Sequence, residues 1–260
     1  MHGGFTTASG IEVIRDSPDA EPDGSGKRVV FVHGAMDRAS SFGRTVRHLT
    51  DLCTDRYDRR GYGRSLRLGT GDVAQHTADL IEVLGDERAT VVGHSLGGLV
   101  AVMAAAERSD LVERVVAYEP PAPWTSWWAA GHHDVLDRAD PGDAAEAFLR
   151  RMLGDRTWER FPPTLRLERR AEGPALQADL AIGRADPKDF DPSSVSVPVL
   201  VACGDDASPR HRRAAEAMAQ DVPGGRLVEL AGADHGAHLS HPKSFADLVR
   251  AGLPQRGRAR

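Results

Sequence analysis

At 260 residues, with 40% hydrophobic and 27% charged side chains, the chain has the balance of one globular core with room for an insertion. A formal net charge of −5 and the lack of a polybasic face argue against nucleic acid as a partner and towards a small-molecule substrate. No stretch approaches the ~18 apolar residues that cross a bilayer. Met1-His2-Gly3-Gly4-Phe5 has neither the basic nor the apolar region of a secretory leader, so no membrane partner and a cytoplasmic location are expected. The two cysteines, Cys53 and Cys203, each fall in a strand-like run, which predicts small buried side chains rather than a disulfide.

Phe5-Thr6-Thr7 and Ile11 to Ile14 read as a hairpin about Ser9-Gly10, followed by a Pro-, Asp- and Gly-rich loop from Asp16 to Lys27. Arg28 to Val32 is an apolar strand running into His33-Gly34-Ala35. A helix is expected over Ser41 to Leu49. The strand Leu52 to Tyr57 then runs into Asp58-Arg59-Arg60-Gly61-Tyr62-Gly63-Arg64-Ser65, and a helix over Val73 to Leu84 follows. Ala89 to Val92 leads into Gly93-His94-Ser95-Leu96-Gly97, then a small-residue helix to Glu107 and a strand from Val112 to Tyr118. Alternation of this kind predicts a mostly parallel sheet covered on both faces, with chemistry at the carboxyl ends of its strands.

After Tyr118 the pattern changes. Glu119-Pro120-Pro121-Ala122-Pro123 cannot extend a ladder, and the next strand-like run is Val197 to Cys203. Residues 122–194 are therefore expected to form a helical cap, inserted before the last two strands, and residues 1–121 and 195–260 to form the core. Ala144 to Met152 and Ala175 to Ile182 are helical in pattern, and Asp186 to Ser194 is a polar return. A helix over Arg210 to Ala219, a strand over Arg226 to Leu230, a helix over Pro242 to Ala251 and an Arg-rich solvated tail, Gln255 to Arg260, complete the chain.

Gly93-His94-Ser95-Leu96-Gly97 stands where a strand turns sharply into a helix. Flanking glycines keep Cβ atoms out of such a corner, so Ser95 is expected in a strained, exposed position beside the unpaired N–H groups of the helix start. A serine hydroxyl needs a base, and His235 in Gly232-Ala233-Asp234-His235 is the candidate. His235, His238 and His241 beside Asp234 invite a metal reading, but the spacing matches no zinc motif, and neither metal nor organic cofactor is expected. His238 is placed at the pocket rim, His94 as packing for the elbow, and His132-His133 on the solvated surface of the cap.

These segments, in this order, resemble the α/β-hydrolase family from about Val29 to Leu253. The resemblance implies a serine-nucleophile esterase or lipase-like enzyme with Ser95, His235 and a carboxylate as the triad, and Ala35 and Leu96 N–H groups as the oxyanion hole. The acid is ambiguous. The family's usual position, three residues beyond Gly204, is Ala207, which leaves Asp205 and Asp206 out of register, whereas a variant arrangement takes the acid from the preceding strand end, here Glu119. Trp124, Trp127 and Trp128 open the cap and either wall a substrate pocket, with Trp124 and Trp128 foremost, or form the cap's own core. The implied reaction is cleavage of an ester or thioester through an acyl-enzyme. Cofactor-free lyases, carbon–carbon bond hydrolases and low-turnover receptors on the same triad are the alternatives. His33 is expected to brace the oxyanion loop, and the arginines of 59–64 to pair with neighbouring loop carboxylates.

Overall fold

The computed structural model describes residues 2–18, 27–128, 138–182 and 191–254. Strands β1 (His2–Thr6), β2 (Glu12–Asp16), β3 (Arg28–Val32), β4 (Cys53–Tyr57), β5 (Ala89–His94), β6 (Val112–Tyr118), β7 (Val199–Gly204) and β8 (Gly225–Leu230) form one sheet in the order β1-β2-β4-β3-β5-β6-β7-β8. The β1–β2 and β2–β4 pairs are antiparallel and every pair from β4 to β8 is parallel, so the carboxyl ends of β3 and β5 to β8 share one edge.

The strand side chains alternate between two buried cores. Val30, Val32, Val91, Val115, Val199 and Val201 face helices α2 (Val73–Leu84), α3 (Leu96–Glu107) and α8 (Pro209–Asp221). Val29, Phe31, Val92, Val116, Leu200 and Ala202 face α10 (Pro242–Gly252) and the segment around α1 (Gly43–Val46). Coverage on both faces explains why these strands read as unbroken apolar runs. Helix α2 begins where Asp72 accepts a hydrogen bond from Gln75 N, and α8 where Ser208 accepts from His211 N. Cys53 and Cys203 are free thiols on strands separated by three others.

The helix expected over Ser41 to Leu49 is much shorter. A 3-10 turn over Ala39–Phe42 precedes α1, and His48 N and Leu49 N bond back three residues, to Thr45 O and Val46 O. Gly43, Thr45 and Val46 are weak helix formers, and the chain tightens instead of propagating.

Between β6 and β7 lie α4 (Pro141–Leu153), α5 (Asp155–Arg160), α6 (Pro163–Ala171) and α7 (Gly173–Ala181). Their apolar sides meet around Ala144, Leu149, Trp158 and Leu176, and this cluster also takes in Met36 and Tyr62 from the loops after β3 and β4. His132, His133, most of the return from Asp186, the tail Gln255 to Arg260 and the middle of the Asp16 to Lys27 loop lie outside the described residues. No described helix is long and apolar enough to cross a membrane.

One buried ion pair ties the inserted helices to the loop after β3. The Arg59 guanidinium gives two hydrogen bonds to Asp179 on α7, at 2.7 and 3.1 Å, and others to the carbonyls of His33 and Gly34, at 2.9 and 3.1 Å. Tyr62 Oη donates to Asp179 at 2.6 Å. Burial opposes both charges, yet Arg59 holds the Asp179 carboxyl well below its ordinary range. The sequence-based pairing of arginines 59–64 holds in kind but not in place: Arg59 meets Asp179 and Arg60 meets Asp79, both on helices rather than loops. Asp179→Ala is expected to lower stability by about 3–5 kcal/mol in a urea melt, because it strands a buried guanidinium.

Candidate functional site

Among the described residues, the non-glycine positions with positive φ are Met36 (50°), Ser95 (52°) and Glu119 (47°), and each follows the carboxyl end of a strand, β3, β5 or β6. Strain of this kind persists only where surrounding structure imposes it. At Ser95 it is imposed by two glycines. A Cβ on Gly93 would lie 2.2 Å from Gly97 O, and one on Gly97 would lie 2.1 Å from Val32 O. The Ser95 N–H is held by Tyr118 O at 2.8 Å, and α3 starts at once with Leu96.

Glu119 sits on the neighbouring strand end, with its own N–H donated to Ala202 O at 2.8 Å. Its side chain is buried, accepts from Gly204 N at 3.0 Å through Oε1, and accepts from His235 Nδ1 at 2.7 Å through Oε2. His211 Nδ1, in the first turn of α8, stands 3.2 Å from the same oxygen but off the line of a hydrogen bond. Burial pushes the Glu119 pKa up, but the two imidazoles and the Gly204 N–H outweigh it and keep the carboxyl ionised well below its usual range. Burial is also the largest influence on His235, and its pKa falls below the ordinary histidine value although Glu119 opposes the shift.

Of the candidate acids, Glu119 is the one whose carboxylate meets His235. Asp205 and Asp206 are exposed in the turn after β7 and their side chains do not reach His235; Asp206 N bonds to Ala233 O. Sequence spacing missed His211, since nothing in Ser208-Pro209-Arg210-His211 marks it. Only the parallel pairing of β6 with β7 brings the start of α8 over Glu119.

Ala35 and Leu96 follow the carboxyl ends of β3 and β5, which are neighbouring parallel strands. Leu96, as the first residue of α3, has no intrahelical acceptor for its N–H. The loop carrying Ala35 is braced by His33, whose Nε2 accepts from Arg59 N at 2.8 Å while Nδ1 donates to Gly34 O at 2.8 Å. Burial and the adjacent Arg59 lower the His33 pKa to about 4, so it stays neutral. Arg169, from α6, donates to Met36 O and completes the brace from the inserted helices. His94 packs against Tyr118, His235 and His238 and donates from Nε2 to His235 O at 2.8 Å, fixing the loop that carries His235.

A cavity of about 500 Å³ opens over these groups, lined by Ser95, His235, Ala35, Met36 and the apolar side chains Phe148, Leu149, Met152, Leu153 and Phe161. The tryptophans expected to line it are elsewhere. Trp128 packs on Ala122 and Ala214 with Arg210 stacked 4.0 Å from its ring, Trp127 lies under Arg213, and Trp124 Nε1 donates to Asp221 at 2.7 Å. They anchor the start of the insertion to α8. The stripe on α4, with Phe148, Leu149, Met152 and Leu153, lines the cavity instead, and its helical spacing was the available signal. His238 does line the cavity but is 2% exposed, within its wall rather than on a rim. Asp234 is exposed and accepts from Gly236 N at 2.9 Å, and His241 bonds to Ser240, so the Asp234, His235, His238 and His241 set does not converge.

A family profile described as "Alpha/beta hydrolase family" matches residues 29–248. The chain is 36% identical over 114 residues to 2-(acetamidomethylene)succinate hydrolase of Mesorhizobium japonicum, covering 42% of this chain and 41% of that protein. It is 30% identical over 240 residues to the pimeloyl-[acyl-carrier protein] methyl ester esterase of Neisseria meningitidis, covering 86% of this chain and 92% of that one. The chain thus spans about two fifths of the length of the first curated relatives it matches. Among solved structures it is similar to a bromoperoxidase from Bacillus anthracis, with TM-score 0.73 at 23% identity, over 96% of this chain and 99% of that one. The enol-lactonase of Burkholderia xenovorans gives TM-score 0.71 at 24% identity, over 96% and 98%. At these identities the likeness speaks to fold alone.

Proposed function

The chain belongs to the alpha/beta hydrolase family, and from that premise we propose that it is a hydrolase that cleaves a carboxylic ester or thioester through an acyl-enzyme on Ser95. The observation that carries the reading is the His235–Glu119 hydrogen bond at 2.7 Å, in the same cavity wall as a serine held at φ 52°. With Nδ1 committed to Glu119, His235 keeps Nε2 as its free base. It removes the Ser95 proton as Oγ attacks the carbonyl carbon, and returns that proton to the leaving alcohol or thiol. The N–H groups of Ala35 and Leu96 hold the oxyanion. Water, deprotonated by His235, then releases the acid and restores Ser95. The core of residues 1–121 and 195–260 carries this chemistry, and the insertion of 122–194 shapes the substrate side.

A cavity of this volume with an apolar wall from α4 suits a small to medium, partly apolar acyl group. Nucleic acid and membrane have no part in the reaction as written, and no metal or organic cofactor is required by it. The test is acyl trapping: a p-nitrophenyl ester mixed rapidly with enzyme gives a burst equal to the enzyme concentration, and acid-quenched peptide carrying Ser95 gains the acyl mass. A burst without that mass increase would transfer the covalent step elsewhere.

The pH profile follows from His235. The neutral imidazole is the active form, and its pKa is lowered by burial, so kcat/KM is expected to stay on its plateau below the ordinary histidine value of ~6.5. Activity falls only as acid protonates the ring at the depressed pKa. A limb centred above ~6.5 would contradict this.

A further inference from the structure

We propose that Asp37, His94 and His238 form a binding site for a divalent cation of the zinc type in the wall of the cavity. Their donor atoms lie within 4.8 Å of one another, and come from the loop after β3, the last residue of β5 and the short helix α9 (Ala237–Ser240). No spacing motif could reveal such a set.

The tautomer of His94 is the central observation. Its Nε2–H donates to the His235 carbonyl at 2.8 Å, which leaves Nδ1 as a lone pair. A metal-ligating histidine usually carries this outer bond to a backbone carbonyl. His94 is 6% exposed, and its Nδ1 has no hydrogen-bond partner. That nitrogen faces Asp37 Oδ2 at 4.0 Å, an acceptor set against an acceptor, which favours a cation between them. The third donor, His238 Nε2, stands 3.1 Å from the same Asp37 oxygen, and its own Nδ1 is unpartnered, so a proton shift from Nε2 to Nδ1 frees the lone pair for a metal.

The separations from Asp37 are close to those of a zinc site. Tetrahedral zinc with bonds of about 2.1 Å sets donor atoms about 3.4 Å apart, and the two observed separations from Asp37 Oδ2, 3.1 and 4.0 Å, bracket that value. Asp37 is already oriented, since Oδ1 accepts from Arg38 N and Oδ2 from Ser41 Oγ, both at 2.9 Å. Two nitrogens and one carboxylate oxygen suit Zn²⁺ and leave a coordination position for a water or a ligand oxygen. All three residues line the cavity, so a cation held there is reachable from it. A second cluster, Glu119, His211 and His235, belongs to the site already described, where Glu119 accepts from both His235 Nδ1 and Gly204 N.

The experiment is isothermal titration of the full chain with zinc chloride in a non-chelating buffer, repeated on Asp37→Asn, His94→Gln and His211→Asn. One saturable site of stoichiometry near one is expected. It should weaken by about tenfold or more in each of the first two variants and be unchanged in His211→Asn. Absence of saturable binding, binding indifferent to Asp37→Asn, or loss in His211→Asn would each overturn the proposal. If His94→Gln fails to fold, Asp37→Asn decides, because it changes a partly exposed side chain without altering its shape.

Discussion

Ser95→Ala is expected to reduce hydrolysis of p-nitrophenyl esters, assayed from acetate to long acyl chains, by about four to six orders of magnitude in kcat with KM little changed. The substitution removes only Oγ. The backbone strain at φ 52°, the Gly93 and Gly97 contacts and the start of α3 are untouched, so thermal unfolding should match the parent protein. The chain-length profile of the parent would measure the pocket formed by Phe148, Leu149, Met152 and Leu153. Equal rates in parent and variant would remove Ser95 from the reaction altogether, whatever the cavity holds.

The second large effect is at Glu119. Glu119→Gln keeps an oxygen able to accept from Gly204 N but places an amide or an uncharged oxygen against His235 Nδ1. The imidazolium formed during turnover then loses its counter-charge, and an amide nitrogen in that place favours the wrong tautomer. A loss of about four orders of magnitude in kcat is expected, while Asp206→Asn, altering an exposed turn, should leave kcat within about twofold. If Asp206→Asn caused the larger loss, the hydrogen bond seen at His235 would not be the one that matters in catalysis. Because Glu119 is buried and hydrogen-bonded to His235, the melting temperature of Glu119→Gln should also be measured. Loss of kcat in a protein that melts normally separates orientation of the base from loss of fold.

Much of the architecture is carried by local pattern. Val112–Tyr118 as a strand, Val73–Leu84 as a helix and the turn at Ser95 follow from apolar runs, helical periodicity and glycines at a corner, all of which act over a few residues. Segments governed by distant partners read less well. The three tryptophans pack on α8, over eighty residues later in the chain, instead of over Ser95, whereas the helix after Ala39 is cut short locally, by weak formers at Gly43 to Val46. No periodicity in 122–128 distinguishes those two destinations.

The sequence by itself determined that a serine at a glycine-flanked elbow and a histidine after the last strand would face one cavity, because strand order and motif order are written along the chain. Only the tertiary structure decided which carboxylate meets the histidine. Asp206 and Glu119 both follow strands of the same parallel sheet, and the choice depends on where each backbone turns as its strand ends: at φ 47° the chain directs Glu119 inwards under Gly204 N and His235, whereas the turn after β7 leaves Asp206 in solvent. The same holds for Asp37, His94 and His238, which are scattered over 202 positions of sequence and converge because two strand ends and one short helix meet at a single edge of the sheet.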